Sequence, residues 1–102
     1  MKTFWIDGKE FTVHRSKYTR GYMETAKRYA YRTIFEVYPQ PSEYKVDVYM
    51  DWEDWAYRNG VEYFGICGTF GFDFTMQGLL NHNGHTYLLI ITKEKNKAYI
   101  VD

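Results

Sequence analysis

The sequence has little cysteine and little proline. Cys67 is the single cysteine, so the chain forms no internal disulfide and no zinc site built from several cysteines. This is typical of a protein that works in a reducing compartment, and we therefore expect a cytoplasmic location. Only two prolines are present, Pro39 and Pro41, and they predict the end of one helix, because proline cannot continue it.

The sequence also lacks a long apolar run and a net charge of either sign. No segment approaches the roughly 20 apolar residues that a membrane-spanning helix needs, and Asp7 comes too early for a signal peptide. Because the formal net charge is zero, binding to a nucleic acid would require a local basic patch. We expect one globular domain over residues 1–102 and no membrane partner.

Aromatic residues, in contrast, are abundant. They make up 21% of the chain, with eleven tyrosines, seven phenylalanines and three tryptophans. A core of this size cannot bury so many tyrosines with every hydroxyl hydrogen-bonded. Some of them are therefore expected at the surface, and exposed aromatic side chains are enriched in binding interfaces.

One segment, residues 17–37, shows a sustained helical period. Its apolar positions are spaced by three or four residues and share one helix face: Met23, Ala26, Ala30, Ile34 and Val37. Ser16 is a plausible N-cap, and Gly21 weakens the first turn, so the regular helix is expected to begin nearer Gly21.

The remaining segments predict short strands. Asp7-Gly8 and Asn83-Gly84 are signals for tight hairpin turns. The alternation of apolar and polar residues over 44–50 predicts a half-buried strand, and residues 51–60 predict a loop that includes one helical turn. The apolar run at 88–91 predicts a strand covered on both faces. We predict an α+β, two-layer domain, with a mostly antiparallel sheet of about five to seven short strands. One long helix packs on one face of this sheet, in the order ββαβββββ or close to it.

Two segments carry opposite charge. Residues 15–36 hold six Lys or Arg against two acids, and residues 43–62 hold six acids against two bases, net charges of +4 and −4. The basic helix face predicts a nucleic-acid-binding surface in which cations contact phosphates and a tyrosine stacks on a base. Its residues are Arg20, Lys27, Arg28, Tyr31 and Arg32. The alternative is a solvated helix face whose charges pair with the acidic segment of the same chain.

The acidic segment predicts a protein-binding patch, because two tryptophans stand as anchors within a frame of acids. Its residues are Asp47, Tyr49, Asp51, Trp52, Glu53, Asp54 and Trp55. The leading hypothesis is a non-enzymatic domain that docks on a protein partner. By analogy with other small aromatic-rich domains without motifs, the hypothesis extends to an inhibitor of a host protein, for example one that handles nucleic acid or acts in defence, from a phage or mobile element. If the partner binds nucleic acid, the acids would mimic phosphates. A homodimer is compatible, with the two charged segments meeting across a symmetry axis.

Residues with catalytic or metal-binding chemistry are few. His82 and His85 have H-x-x-H spacing, with Cys67, Asp73 and His14 as further candidate ligands, and Cys67 with either histidine would form a nucleophile and base. A small hydrolase or metal-dependent enzyme is therefore a further alternative. A polar hairpin tip and a buried thiol explain the same residues without chemistry. No phosphate-binding loop, nucleophile elbow or dinucleotide motif is present, and we expect no cofactor, no metal and no catalytic residue.

Overall fold

The computed structural model of the chain describes residues 2–15, 18–31, 43–67 and 75–101. These residues form two helices and six strands, an α+β fold as predicted. The helices are α1 (Arg20–Tyr31) and α2 (Glu43–Arg58). The strands are β1 (Thr3–Ile6), β2 (Lys9–Arg15), β3 (Glu62–Cys67), β4 (Thr75–His82), β5 (His85–Ile91) and β6 (Asn96–Ile100).

The six strands form one mixed sheet in the order β1-β2-β6-β5-β4-β3. All neighbouring pairs are antiparallel except β2 and β6, which run parallel and align Val13 with Ala98. Their pairing joins strands from opposite ends of the chain. The prediction of a mostly antiparallel sheet of about five to seven short strands is confirmed, whereas the predicted order of elements is wrong because α2 takes the place of a strand.

Both predicted tight turns are present. Asp7 and Gly8 have φ values of +46° and +82°, and Asn83 and Gly84 have values of +50° and +81°. Two successive residues with positive φ form a type I′ turn, whose twist matches that of the flanking strands. The first turn connects β1 to β2, and the second connects β4 to β5.

The two faces of the sheet bury two separate clusters, each with its own helix. Tyr87, Leu89 and Ile91 of β5 pack in the cluster that contains Trp52, Trp55 and Ala56 of α2. The intervening Leu88 packs with Met23 of α1, as does Leu79 of β4. Since successive side chains of a strand point to opposite faces, the helices lie on opposite sides of the sheet. The predicted burial of β5 on both faces is confirmed.

α2 corrects two predictions, the strand over 44–50 and the loop over 51–60. Residues 43–58 form one continuous helix. Its side chains toward the sheet lie at Val48, Trp52, Trp55 and Ala56, a spacing of three and four residues. Alternation over seven residues also fits a helix when only some of the apolar residues are buried. The helical period becomes visible only when the segment is followed as far as Ala56, because Val48, Trp52, Trp55 and Ala56 then share one side of a helix.

α1 occupies part of the predicted long helix. It begins at Arg20, and Thr19 caps it, since the Tyr22 amide donates a hydrogen bond to Thr19 Oγ1 at 3.3 Å. Met23 is buried against the sheet as predicted. The proposed cap Ser16 and the predicted extension beyond Tyr31 lie outside the described residues. A single long helix packed on the sheet is therefore not confirmed. Neither α1 nor α2 combines the length and apolarity needed to cross a bilayer in the part of the chain that the structure describes.

The β1–β2 hairpin curls toward the turn between β4 and β5. Two strands separate β1 from β5 in the sheet, yet the Phe4 ring lies 5.2 Å from the Tyr87 ring and 4.8 Å from the His82 ring. Phe11 continues this cluster to the Trp55 ring at 5.5 Å. Strong twist brings the hairpin over the side of the sheet where α2 lies, and the hairpin closes one end of that core.

Candidate functional site

The outward side of α2 is the most distinctive surface among the described residues. It combines four acids with two exposed apolar side chains and contains no described base before Arg58. We call it the acidic face of α2, and its residues are Asp47, Met50, Asp51, Glu53, Asp54 and Tyr57. Met50 is 58% exposed and Tyr57 is 87% exposed. These positions recur every three or four residues, so they share the helix side opposite the sheet.

The predicted protein-binding patch is only partly at the surface. Its acids are exposed, but Trp52 is 9% exposed and Trp55 is 1% exposed, and both belong to the core. Tyr49 is half-buried, with its ring stacked 5.9 Å from that of Phe64. The two tryptophans are therefore unavailable as exposed anchors. The prediction of exposed tryptophans is wrong because it assumed a loop over residues 51–60, in which both side chains could face solvent. The helix instead directs them toward the sheet.

Sequence reasoning missed Met50 and Tyr57 for the same reason. When residues 43–58 are treated as one helix, the buried positions at 52, 55 and 56 define the inner side. Met50 and Tyr57 then lie on the outer side with Asp54 between them. The sequence therefore contains the information that Met50 and Tyr57 face outward, but only a helical period of about 3.6 residues over 43–58 reveals it.

A polar cluster holds the C-terminal end of α2 against the first hairpin. The Asp7 carboxylate accepts hydrogen bonds from Arg58 Nη2 at 3.1 Å, from Arg58 Nε at 3.3 Å and from Asn59 Nδ2 at 3.3 Å. Arg58 also pairs with Asp54 one helical turn earlier. The hydrogen bonds from Asn59 and Arg58 lower the pKa of the Asp7 carboxyl from its ordinary value of 3.8. Nearby, the Trp55 indole donates to the backbone oxygen of Ile6 at 3.1 Å.

The other acids of this face differ in their surroundings. Burial, a hydrogen bond with Glu53 and the charge of that carboxylate raise the pKa of the Tyr49 hydroxyl well above its usual range. Tyr49 therefore stays protonated and donates to Glu53 at any physiological pH. No ion pair of Asp47 or Asp51 occurs among the described residues. Both side chains are exposed.

The predicted basic surface is described only in part. Arg20 forms an ion pair with Glu62 of β3 at 3.6 Å, with about half of each side chain exposed. This contact is of the kind that the alternative of internal charge pairing expects. Arg28 is exposed in the last turn of α1. The side chains of Lys27 and Tyr31, and all of Arg32, lie outside the described residues.

The histidines do not converge. His82 and His85 pair across the β4–β5 turn, and the His82 ring stacks on Phe4 on the side of α2. The His14 ring stacks 5.2 Å from that of Tyr99, in the layer on the opposite side of the sheet. The Cys67 side chain and Asp73 lie outside the described residues. Within the described ranges, no group of three or more His, Cys, Asp or Glu side chains is placed to hold a metal ion.

Comparison of the chain with protein-family models, with curated proteins and with solved structures finds no match to any of them.

Proposed function

We propose that this protein is a non-enzymatic binding domain that docks on a protein partner through the acidic face of α2. The partner would present a basic surface with an apolar recess. The observation that carries the proposal is the exposure of Met50 and Tyr57 on a helix side that is otherwise acidic. Soluble proteins expose single apolar side chains routinely, but these two share one side of one helix with four carboxylates.

The spacing of this face suits a single docking surface. Met50 and Tyr57 are seven residues apart in α2, which places them about 10 Å apart along the helix axis. Tyrosine supplies a large contact area at low conformational cost and is enriched among the residues that dominate binding energy. The carboxylates between and beside the two apolar side chains would steer a basic partner and fix its orientation.

The face is also held rigidly, which lowers the entropic cost of binding. Trp52 and Trp55 anchor the inner side of α2 in the core. The contacts of Arg58 and Asn59 with Asp7 fix its C-terminal end to the β1–β2 turn. A partner would therefore meet a surface that is already in place.

Partners that bind nucleic acids carry suitably basic surfaces, so inhibition of a nucleic-acid-handling or defence protein remains the specific role that we propose. The acids would then take the place of phosphates. An origin in a phage or mobile element stays a prediction from composition. The nucleic-acid-binding and enzymatic alternatives also stay predictions.

The proposal is tested with a pair of matched variants. The face variant carries Asp47→Lys, Asp51→Lys and Tyr57→Ser. The control variant carries Glu24→Lys, Glu94→Lys and Tyr22→Ser, which make the same change in charge and remove one exposed tyrosine elsewhere. Proteins retained from host-cell extract by the immobilised wild-type domain are identified, and each is then purified and titrated against all three proteins at two salt concentrations.

We expect a purified partner that binds the wild type and the control equally and binds the face variant at least about tenfold more weakly, a difference of ~1.4 kcal/mol. Its affinity should fall as salt rises. The proposal is wrong if every retained protein also binds the face variant. In parallel, fluorescence anisotropy with single-stranded DNA, duplex DNA and RNA tests the alternative. Binding that Arg28→Glu abolishes and the face variant preserves would replace protein docking with nucleic-acid binding.

A further inference from the structure

The two edges of the sheet are built differently. At the β3 edge the pairing with β4 shifts register between Glu62 and Gly65, and Tyr63 has a φ of +54°. α1 packs against this same strand. Bulges, irregular backbone and a covering helix are the usual means by which proteins prevent an edge strand from pairing with another chain. The β1 edge, Thr3–Ile6, has a regular register with β2 throughout and contains neither proline nor charge.

The hairpin register identifies which backbone groups of β1 face outward. In a type I′ hairpin the residues that flank the turn, here Ile6 and Lys9, form a hydrogen-bonded pair. Along the two strands, every second pair of opposite residues is then hydrogen-bonded in the same way. The Val13 amide accordingly donates to the Lys2 oxygen at 2.8 Å. Lys2, Phe4 and Ile6 therefore bond to β2. The amides and carbonyls of Thr3 and Trp5 point away from the sheet, and they form an edge of two donors and two acceptors.

A large apolar side chain lies on this edge. Trp5 is 66% exposed, and its cross-strand neighbour is Glu10, which is also exposed. The indole lies on the side of the sheet opposite Phe4 and Ile6, which are partly buried and pack against the core. Trp5 thus lies beside backbone groups that have no partner strand among the described residues, on a short edge without the register shift and covering helix of the β3 edge.

We propose that the β1 edge is a self-association surface that pairs antiparallel with β1 of a second copy of this chain. A two-fold axis at Phe4 places Thr3 of each copy opposite Trp5 of the other. All four outward groups of each copy are then used, in four hydrogen bonds between the copies. The two Trp5 side chains lie on one face as diagonal neighbours about 7–8 Å apart, within reach of each other for aromatic side chains. The two sheets become one continuous sheet.

Charge complementarity favours a second copy as the occupant. The same register places Lys2 of one copy opposite Ile6 of the other, beside Asp7. At that position two carboxylates, Asp7 and Asp54, both pair with the one guanidinium of Arg58, and the charge of Lys9 also acts on Asp7. Lys2 is exposed and would supply a second ion-pair partner for these two carboxylates, and symmetry repeats the contact. This surface uses none of the residues of the acidic face apart from Asp54, so the inference does not depend on the proposed function.

Sedimentation equilibrium of the full chain, up to millimolar concentration, tests the pairing. We expect a reversible dimer of the wild type. Trp5→Lys should raise the dissociation constant at least about tenfold, since it removes the apolar contact and places two like charges side by side. Thr3→Pro should abolish the dimer, because it removes an outward donor while leaving every hydrogen bond to β2 intact. Tyr57→Lys, at the exposed tyrosine of α2, is the control and should dimerise like the wild type.

Circular dichroism checks that each variant is folded. If Thr3→Pro does not fold, Trp5→Lys decides the question, because its side chain lies outside the core. A monomeric wild type at every concentration overturns the proposal and leaves the edge to an extended peptide of another protein. A dimer that persists unchanged in Trp5→Lys also overturns it, since another surface would then hold the copies together.

Discussion

The three tryptophans of this chain have different roles, which depend on whether each side chain lies in the core, at its boundary or at the surface. Trp55 fills the core beneath α2 and donates to the Ile6 carbonyl, whereas Trp5 stands at the open edge of the sheet. Trp52 lies between these extremes, with its ring at the core boundary and the Lys9 ammonium 4.7 Å from the ring centroid. This distance is within the range of a cation–π contact.

Replacement of Trp55 tests its role in the core. Trp55→Phe should lower the free energy of unfolding by about 1–3 kcal/mol, because it removes the hydrogen bond to Ile6 and leaves a void. Trp55→Ala should cost about 3–5 kcal/mol. Urea unfolding followed by circular dichroism measures both. Trp5→Phe is the matched control and should change stability by less than about 0.5 kcal/mol. Equal effects at the two positions would contradict the assignment of Trp55 to the core.

Gly78 of β4 is a second residue whose identity the packing requires. A Cβ at this position would overlap Val61 Cγ1 and approach Phe64 Cδ2 to 3.1 Å. Gly78→Ala should therefore destabilise the fold by about 1–3 kcal/mol through overpacking. Val61→Ala in the same molecule should restore part of this loss, which a double-mutant cycle by urea unfolding would measure. Strictly additive effects of the two changes would show that the close contact is absent.

At the scale of elements, the first hairpin and α2 form a single unit. Asp7 of the β1–β2 turn accepts hydrogen bonds from Arg58 and Asn59 at the end of α2. The indole of Trp55 reaches the strand beside that turn. The hairpin thereby positions the acidic face of α2, although none of its own residues belongs to that face.

The Asp7 contacts make this unit sensitive to acid. Because Asn59 and Arg58 lower its pKa below 3.8 in the folded chain, the ionised carboxylate stabilises the fold at every pH above that value. The contribution is lost as the pH falls through the lower, folded-state pKa. Asp7→Asn, which tolerates the positive φ of the turn, should therefore be less stable than the wild type at neutral pH. The difference should shrink below pH 3.8.

Thermal unfolding of both proteins across this pH range measures the effect, and the comparison cancels the titration of the other carboxyls. A difference in melting temperature that stays constant down to the lowest pH would show that the Asp7 charge contributes nothing.

At the scale of the whole molecule, the sheet is assembled from both ends of the chain. β6 is inserted between β2 and β5, and its parallel pairing with β2 brings Ala98 beside Val13. The two helices then cover opposite faces, α1 over β3 and β4 and α2 over the side closed by the first hairpin. The core thus depends on contacts between residues that are distant in sequence.

This topology predicts slow folding for a chain of this size. Pairing of β2 with β6 brings together segments near the two ends of the chain. Closing so long a loop costs conformational entropy before the contacts of this strand pair can offset it. We expect refolding with time constants from about a millisecond to seconds, as in other domains rich in non-local strand pairs. Stopped-flow dilution from urea, followed by tryptophan fluorescence, measures the rate. Complete refolding within microseconds would be inconsistent with the parallel pairing.

The sequence by itself determined the local features of this protein. Asp7-Gly8 and Asn83-Gly84 specify their turns because few residues adopt successive positive φ values. The unbroken apolar run of β5 predicts burial on both faces, since no side of such a strand can face water. The acids of the predicted binding patch are exposed, as charged side chains usually are, and their role in binding a partner stays a prediction.

Only the tertiary structure decided whether residues 43–58 form a strand or a helix, and hence which aromatic residues face outward. Alternation over a few residues is compatible with both, and burial against the sheet selects the period that places Trp52 and Trp55 in the core. The parallel pairing of β2 with β6 and the open edge at β1 have no local signal either. They follow from which strands meet when the chain closes, a choice made by the free energy of the whole core rather than by any one segment.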